Sequence, residues 1–176
     1  GSFDRFGGSV SISGDGSYAI AGERGNNVDR GAAYIFVRSG TSWSHQQKIT
    51  APDAAEDDRF GYSVSISSDG SYATVAAAYD DRPGFPASDN TGSAHIYVRS
   101  GTTWSHQSKI VSPDPGVADA FGYSVSISGD GSYAIAGAYR NDDSISSSGS
   151  AYFFARSGTS WSYQTKIRAP DPAPQD

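Results

Sequence analysis

The stretch Phe60-Gly61-Tyr62-Ser63-Val64-Ser65-Ile66-Ser67 decides the fold of this chain. From its third residue onward it alternates small hydroxyl side chains with bulky ones, which places Val64 and Ile66 on one face. This alternation predicts a half-buried β-strand. The Asp69-Gly70 pair that follows supplies the positive φ of a tight hairpin turn, so a second strand is predicted from Tyr72 to Ala77.

The same unit occurs three times and fills almost the whole chain. The Phe-Gly pairs begin at Phe6, Phe60 and Phe121, and each unit ends in a Trp-Ser-x-Gln-x-Lys-Ile segment that begins at Trp43, Trp104 or Trp161. The spacing from each tryptophan to the next phenylalanine is constant, so all variation in length lies inside the units. Repetition on this scale predicts a stacked array of units, each too small to bury a core alone.

Two further strands complete each unit. The third strand is bulky on both faces, as expected for a strand between neighbouring layers, and is predicted at Ala33 to Val37, Ala94 to Val98 and Ala151 to Ala155. A turn with the sequence Arg-Ser-Gly-Thr leads into the fourth strand, which carries the tryptophan. Each unit is therefore predicted to be a four-stranded antiparallel meander.

The segments between units are predicted to cross from one sheet to the next. A Pro-Asp pair follows every fourth strand, at Pro52, Pro113 and Pro170, and an aspartate stands two residues before each Phe-Gly pair, at Asp4, Asp58 and Asp119. Proline removes a donor from the strand ladder and is rare inside sheets, which fits a connector.

Four-stranded meanders with small inner residues and a tryptophan on the outer strand are typical of propeller blades. We therefore predict an all-β fold, a β-propeller made of four-stranded antiparallel blades, with three blades in this chain. Their predicted boundaries are 3–52, 53–113 and 114–170. Residues 1–2 are interpreted as a cloning scar, and residues 171–176 as a tail or the start of the next connector.

The spaced motifs resemble those of the FG-GAP repeat family, which forms the blades of the integrin α-chain propeller and of many bacterial and algal relatives. The matching segments are Phe-Gly-Tyr-Ser-Val-Ser-Ile-Ser, Tyr-Ala-Ile-Ala-Gly-Ala and Gly-Ser-Ala-Tyr-Phe-Phe. The resemblance implies a propeller used for cell-surface recognition. Integrin-type blades often carry an Asp-x-Asp-x-Asp-Gly calcium loop between the first two strands, where this chain has only a tight Asp-Gly turn. Family propellers usually have seven blades.

Composition restricts the partners. The net charge of −6 argues against nucleic acid and anionic membrane surfaces, because both attract clustered Lys and Arg. No apolar run is long enough to span a bilayer, so no membrane insertion is expected. The absence of cysteine excludes disulfides and thiolate ligands.

Candidate binding residues concentrate between the second and third strands, in the stretches Glu23 to Arg30, Tyr79 to Asn90 and Tyr139 to Ser147. Loops on a rigid scaffold are where binding sites usually lie, although the same stretches also tolerate insertions. The candidate ligand-binding residues are Arg24, Asn26, Asp29, Tyr79, Asp80, Asp81, Asp89, Asn90, Tyr139, Asn141, Asp142 and Asp143.

The oxygen-rich loops could also hold a hard cation. Asp80, Asp81, Asp89 and Asn90 could supply ligands, and so could Asn141, Asp142 and Asp143. Ordinary solvated loop polarity is the alternative, and we favour it because no calcium-loop spacing is present. We therefore expect no metal and no cofactor, with calcium not expected at the family's usual loop.

Recurrent aromatic residues have simpler interpretations than catalysis. His45 and His106 occupy one position of the fourth strand, where the third unit has Tyr163, so a packing or surface role is favoured. The three tryptophans could stack on sugars as aromatics do in lectins. Packing within or between blades is favoured, since every unit has a tryptophan at the same register.

Three classes of function remain open from the sequence. The leading hypothesis is a non-enzymatic extracellular or cell-surface module for binding or adhesion, with a protein or glycan partner. The alternative is a structural repeat or assembly unit of a larger surface protein or filament. An enzyme is the third, because loop carboxylates could act on polysaccharides although nothing places them at a defined distance.

Self-association is also expected from the blade count. Closed propellers have about four to eight blades, so three leave an arc with uncovered ends. A homodimer would close a six-bladed ring. The other explanation is that the chain is a segment of a longer, seven-bladed parent.

Overall fold

The computed structural model describes residues 5–25, 30–84, 89–142 and 148–170. Within these ranges the regular structure consists of twelve β-strands. No helix in the described ranges is long and apolar enough to cross a membrane.

The strands form three four-stranded antiparallel sheets, one for each sequence unit. Blade 1 contains β1 (Phe6–Ile12), β2 (Tyr18–Glu23), β3 (Ala32–Ser39) and β4 (Ser42–Ile49). Blade 2 contains β5 (Phe60–Ile66), β6 (Tyr72–Ala77), β7 (Ser93–Ser100) and β8 (Thr103–Ile110). Blade 3 contains β9 (Ser124–Ile127), β10 (Tyr133–Ala138), β11 (Ser150–Ser157) and β12 (Ser160–Ile167). Each sheet follows chain order, which confirms the predicted meanders and the all-β propeller-type fold.

The first strand of each unit differs from its prediction near the Phe-Gly pair. In blade 2 the strand begins at Phe60, which pairs with Ala77, and the register then shifts before Val64. Arg59 and Gly61 have φ angles of 55° and 88°, so the chain turns sharply around Phe60. Period-two alternation begins only after this irregular turn, and for that reason the alternation alone did not show it.

Small residues allow adjacent blades to approach closely. A Cβ atom added to Gly22 would overlap the carbonyl group of Gly61 in the next blade. Gly92, with a φ of 82°, lies equally close to the backbone of Phe121. Glycine is therefore required at position 22 for the close approach, and at position 92 for both the close approach and the backbone conformation.

The hydrophobic core lies between the blades. One cluster joins blades 1 and 2 and includes Ile35, Phe60 and Val64. A second joins blades 2 and 3 and includes Ile96 and Phe121. Phe60 and Phe121, from the second and third Phe-Gly pairs, are fully buried in these clusters.

The tight turns between the first two strands use their aspartates internally. In blade 1 the Ser13 hydroxyl donates to Asp15 Oδ1 at 2.7 Å. Hydrogen bonds from Ser13 and Ser17 lower the pKa of Asp15 to about 2. Asp69 accepts the same bond from Ser67 at 2.6 Å in blade 2. These carboxylates close the turn, and they do so at the place where integrin-type blades carry their cation loop.

Candidate functional site

The predicted binding loops share one edge of the molecule, which we call the rim. In an antiparallel meander the second strand ends, the third begins and the fourth ends at the same end of the sheet, where the strand termini lie. The rim therefore contains the residues after Glu23, Ala77 and Ala138, where β2, β6 and β10 end. The connectors and the Phe-Gly turns reach this edge as well.

Four tyrosines form a continuous row along the rim, which we call the tyrosine row. The ring centroids of Tyr79 and Tyr62 are 5.7 Å apart, and those of Tyr62 and Tyr123 are 4.9 Å apart. The centroids of Tyr123 and Tyr139 are 4.2 Å apart. The row thus crosses from blade 2 to blade 3. Tyr62 and Tyr123 each directly follow a Phe-Gly pair, and the other two follow the second strands of their blades.

Three arginines stand over rings of this row: Arg24 over Tyr62, Arg59 over Tyr79 and Arg140 over Tyr139. The distance from the guanidinium carbon to the ring centroid is 5.1 Å for Arg24 and 4.1 Å for Arg59. These distances are in the range of cation–π contacts, which hold the rings in place.

The blade 3 end of the tyrosine row is open to solvent. Tyr123 is 39% exposed and Tyr139 is 40% exposed. Burial and a hydrogen bond with Tyr123 raise the pKa of Tyr62, so its hydroxyl stays neutral and can donate or accept. The row therefore presents fixed aromatic faces, hydroxyls and guanidinium groups on one surface.

A pocket lies further out on the rim of blade 2, and we call it the rim pocket. Its volume is about 340 Å³. Pro83, Val111 and Pro115 supply apolar walls, while Asp53, Asp80 and Lys109 supply charge. Two of the predicted binding residues, Asp80 and Asp81, line it.

An ion network fixes the floor of the rim pocket. Lys109 Nζ lies 2.7 Å from Asp53 Oδ2 and 2.6 Å from Asp80 Oδ2. Burial opposes the charge on Lys109, but its bonds to the two carboxylates raise its pKa overall. Burial likewise works against the charge on Asp53, and the hydrogen bond from Lys109 holds the pKa of this carboxyl below its usual range. Lys109 and Asp53 are therefore both charged near neutral pH.

A histidine pair extends this network into the core. His95 Nδ1 lies 3.2 Å from His106 Nε2. On its other side His95 Nε2 lies 3.3 Å from Ser93 Oγ and 3.9 Å from Asp53 Oδ1. Burial lowers the pKa of His95 to about 4, so the ring is neutral at physiological pH.

The Ser93–His95 pair is not arranged for nucleophilic attack. Ser93 is fully buried, and its hydroxyl donates to Asp80 Oδ2 at 2.5 Å. A serine nucleophile must be reachable by substrate and must give its proton to the histidine. We therefore assign Ser93 and His95 to the support of the rim pocket.

Two aspartates of the connectors form hydrogen bonds with rim residues and with the connector backbone. Asp58 Oδ2 accepts a hydrogen bond from the Ala55 amide at 2.6 Å, and Asp119 Oδ2 accepts one from the Gly116 amide at 2.7 Å. Asp119 Oδ2 also accepts a bond of 3.0 Å from the Asn141 side chain. Burial raises the pKa of Asp58 to about 6.

The structure divides the candidate residues from the sequence into groups. Arg24, Tyr79 and Tyr139 meet at the tyrosine row, and Asp80 and Asp81 meet at the rim pocket. Asp89 is buried, where the Arg82 guanidinium binds its Oδ1 at 3.0 Å, and Asn141 is buried beside Asp119. The Asn90 amide donates to Asp81 Oδ1 at 2.7 Å, and the Asp142 side chain is exposed. Asn26, Asp29 and Asp143 lie outside the described residues.

Three loop carboxylates of blade 2 are used in internal contacts. Asp80 binds Lys109, Asp81 binds the Asn90 amide and Asp89 binds Arg82. Among the described residues, no group of three or more His, Cys, Asp or Glu side chains is placed to hold a metal ion.

Several residues of the candidate site were not predicted from the sequence. Tyr62 and Tyr123 were not identified as rim residues, although Tyr stands after the Phe-Gly pair in units 2 and 3 where unit 1 has Gly8. Also missed was His95, which occupies the third-strand position of Tyr34 and Tyr152 in the other units. The departure of one unit from the other two was the available signal in both cases.

The architecture defines a propeller-type repeat protein, and the repeats identify its family. The chain belongs to the FG-GAP repeat family, because the model of the FG-GAP repeat matches residues 43–97 and 104–154, more than half of the chain. A search of curated proteins finds no match.

Solved structures support the fold. The chain is similar to the putative 6-phosphogluconolactonase of Bacteroides uniformis ATCC 8492, with 14% identity and a TM-score of 0.57, and the match covers 94% of this chain and 40% of that one. It is also similar to a hypothetical selenium-binding protein of Sulfolobus tokodaii, with 10% identity, a TM-score of 0.57 and coverage of 90% and 40%. At these identities the likeness shows the fold alone. This chain spans 40% of the length of either protein.

Proposed function

We propose that this chain is a non-enzymatic binding or adhesion module, located outside the cell or on its surface, that recognises a protein or glycan partner through its rim. The observation that carries the proposal is the tyrosine row. Its solvent-exposed end combines two aromatic faces, their hydroxyls and the guanidinium of Arg140. Tyrosine and arginine are the residues enriched at binding hot spots.

The rigidity of the tyrosine row supports this proposal. Its rings contact one another and the arginines. Tyr62 lies on β5, and Tyr123 directly precedes β9. A partner that binds fixed side chains loses little additional conformational entropy. An aromatic face offers a flat apolar surface to a sugar ring or to an apolar side chain, and the hydroxyls can bond to polar groups beside it.

The rim pocket contributes a second kind of contact. Its apolar walls and its fixed carboxylates would suit a partner group that carries a hydrogen-bond donor on an apolar body. The loops of the three blades differ in sequence at this position, so each blade offers a different surface on the same scaffold.

Binding arrays provide the test of this function. The labelled chain is applied to a glycan array and to an array of extracellular protein domains, together with Tyr123→Ala and Tyr139→Ala variants. The matched control is Tyr163→Ala, because Tyr163 is 43% exposed but lies on β12, away from the tyrosine row. Loss of a hot-spot side chain should weaken binding about tenfold or more, which corresponds to about 1.4 kcal/mol.

The outcomes separate the two partner classes. Glycan spots that disappear with the two row variants and persist with the control identify a glycan ligand. The same pattern on protein spots identifies a protein ligand. Binding that all three variants retain would contradict a role for the tyrosine row, and turnover of a polysaccharide would contradict the non-enzymatic assignment.

A further inference from the structure

The two interfaces between blades repeat one set of contacts, and each set joins two different surfaces. We call the surface that a blade turns toward the preceding blade its leading face, which in blade 1 carries Phe6, Val10, Ile12 and Trp43. The opposite surface is its trailing face, which in blade 3 carries Ser124, Ser126, Tyr133, Gln164 and Ile167. These two faces are uncovered in a single chain.

Backbone amides of each leading face are paired by serines of the preceding trailing face. The Val64 and Ile66 amides donate to Ser9 and Ser11 Oγ at 3.0 and 3.2 Å. At the next interface the amides of Val125 and Ile127 donate to Ser63 and Ser65 Oγ at 3.1 and 3.2 Å. The same rule leaves the amides of Val10 and Ile12 as donors at one end of the chain. It leaves Ser124 and Ser126 as acceptors at the other.

The tryptophans follow the same rule. Trp104 Nε1 donates to Gln46 Oε1 at 3.1 Å, and Trp161 Nε1 donates to Gln107 Oε1 at 2.9 Å. Trp43 on the leading face of blade 1 and Gln164 on the trailing face of blade 3 are the members of this series that remain without such a bond among the described residues.

Cation–π contacts form a third series. The Arg99 guanidinium carbon lies 4.4 Å from the ring centroid of Tyr18 in the preceding blade, and that of Arg156 lies 4.5 Å from Tyr72. The remaining pair is Arg38 and Tyr133. Tyr133 is 51% exposed, whereas its equivalents Tyr18 and Tyr72 are each partly covered by an arginine of the following blade.

The Phe-Gly pairs dock on a glycine of the preceding blade. The Phe60 amide donates to the carbonyl of Arg30, beside Gly31, at 3.1 Å. The Phe121 amide donates in the same way to the carbonyl before Gly92 at 2.8 Å. In blade 3, Gly149 has a φ of 71°, close to the 77° of Gly31, and receives no Phe-Gly pair within the chain.

Both end faces expose apolar side chains whose equivalents are buried at the interfaces between blades. Phe6, Val10 and Ile12 are 56%, 68% and 58% exposed, whereas their equivalents in blades 2 and 3 are buried. At the other end Ile167 is 49% exposed, and its equivalents Ile49 and Ile110 are each 4% exposed. Large exposed apolar surfaces of this kind mark sites of protein contact.

We infer that a second copy of this chain covers these faces, with the leading face of blade 1 in one copy against the trailing face of blade 3 in the other. Each amide donor, guanidinium face or apolar group that has no neighbouring blade at one end finds its matching group at the other end of the same sequence. Used twice around a two-fold axis, the contact closes a six-bladed ring, which lies within the range of closed propellers.

The first test compares two valines of equal exposure. Val10 is 68% exposed on the leading face of blade 1, and Val117 is 69% exposed on the connector before β9. In light scattering after size exclusion, the unmodified chain and Val117→Lys should both have twice the 18.4 kDa mass of the chain. Val10→Lys should be a monomer with an unchanged far-ultraviolet circular dichroism spectrum. A monomeric unmodified chain at tens of micromolar overturns the inference, and so does a dimer that Val10→Lys leaves intact.

The second test fixes the contact covalently and uses the absence of natural cysteine. A Cβ atom on Gly14 would lie 3.0 Å from Ser68 Cβ, and one on Gly129 would lie 3.3 Å from the same atom, so this position repeats at both interfaces. The double variant Gly14→Cys/Gly129→Cys should therefore form disulfides between copies and stop at a covalent dimer.

The matched control is Gly14→Cys/Ser68→Cys, which should form its disulfide within one chain. A ladder of larger products from the first variant would indicate open chains and overturn the ring. Products no larger than those of the control would overturn the contact itself. Neither result bears on partner binding, because the tyrosine row lies within a single chain.

Discussion

The leading face of blade 1 and the leading face of blade 2 have almost the same sequence and very different surroundings. Phe6 and Phe60 both lie edge-on to two aromatic rings, with centroid distances of 5.5 and 6.2 Å in blade 1 and 5.5 and 6.1 Å in blade 2. Yet Phe6 is 56% exposed and Phe60 is fully buried.

The comparison shows that the aromatic contacts of the leading face are the same with and without a preceding blade. The ring contacts of the phenylalanine lie within one sheet, so they form without the preceding blade. Burial comes from that blade alone. The conformation of the motif and its contribution to stability therefore have separate origins, and substitutions can separate them.

The largest expected effect comes from deleting the same ring in two blades. Phe121→Ala removes a fully buried side chain, so it should lower the free energy of unfolding by about 3 to 5 kcal/mol. Phe6→Ala, measured in the Val10→Lys background, should lower it by less than about 1 kcal/mol, because the ring is largely in water. Urea unfolding followed by tryptophan fluorescence measures both values. Equal losses would contradict the difference in burial.

A smaller effect is expected from the serines that pair amides between blades. Ser65→Ala leaves the buried Ile127 amide without its acceptor and should cost about 1 to 3 kcal/mol. Ser126→Ala, the same change on the trailing face of blade 3, should stay within about 0.5 kcal/mol in the Val10→Lys background. Thermal unfolding should show a shift of about 2 to 4 °C per kcal/mol for a chain of this size. The comparison fails if Ser126→Ala costs as much as Ser65→Ala.

A change of pH is expected to act on the middle blade through His95. His95 has a pKa of about 4 in the folded chain, below its unfolded value, so the stability that it contributes is complete above about pH 6.5 and decreases as the pH falls toward 4. A His95→Gln variant should lose less stability over this window. Asp58, with its pKa raised to about 6, acts in the opposite direction between about pH 6 and 4, and the net change in the unmodified chain should therefore be modest.

Unfolding midpoints at several pH values between 4 and 7 provide the measurement. The control is His45→Gln, because His45 is the exposed fourth-strand histidine of blade 1. A variant at position 95 that follows the same pH profile as the unmodified chain would show that His95 is not the titrating group.

The smallest effect should come from calcium removal. The Asp-Gly turns use their carboxylates to bind serine hydroxyls, and the rim carboxylates Asp80, Asp81 and Asp89 bind Lys109, a backbone amide and Arg82. We therefore expect the melting temperature with and without a chelator to agree within about a degree. A drop of several degrees, which corresponds to on the order of a kcal/mol or more, would indicate a cation site.

Most of the fold could be predicted from the sequence because its determinants are local. The alternation in β5, the hairpin turn and the segment Tyr72 to Ala77 each depend on neighbouring residues, and the predicted second strand coincides with β6. Threefold repetition then reinforced each weak local signal. The turn before Val64 was missed because it depends on positive φ angles at the two residues that flank Phe60, and one of these residues, Arg59, is not a glycine.

The rim was less predictable because its contacts join distant segments. Asp53, Asp80 and Lys109 come from a connector, a loop and a strand, and only the packing of the blades brings them together. The tyrosine row likewise depends on which rings of adjacent blades face each other. The length and polarity of the loops predicted where the rim lies, but they did not predict which of its side chains contact each other.

The serine hydroxyls between blades have one more consequence, for the edges of the sheets. The first strand of each blade is an edge strand. Alternate backbone amides along such a strand are unpaired and can form hydrogen bonds with a strand of another chain. In β5 and β9 the outward amides are already bound by serines of the preceding blade. Those serines act as a substitute strand and protect two of the three inner edges from amyloid-like addition. In a solitary chain the edge of β1, at Val10 and Ile12, is where an extended peptide would add or an aggregate would begin.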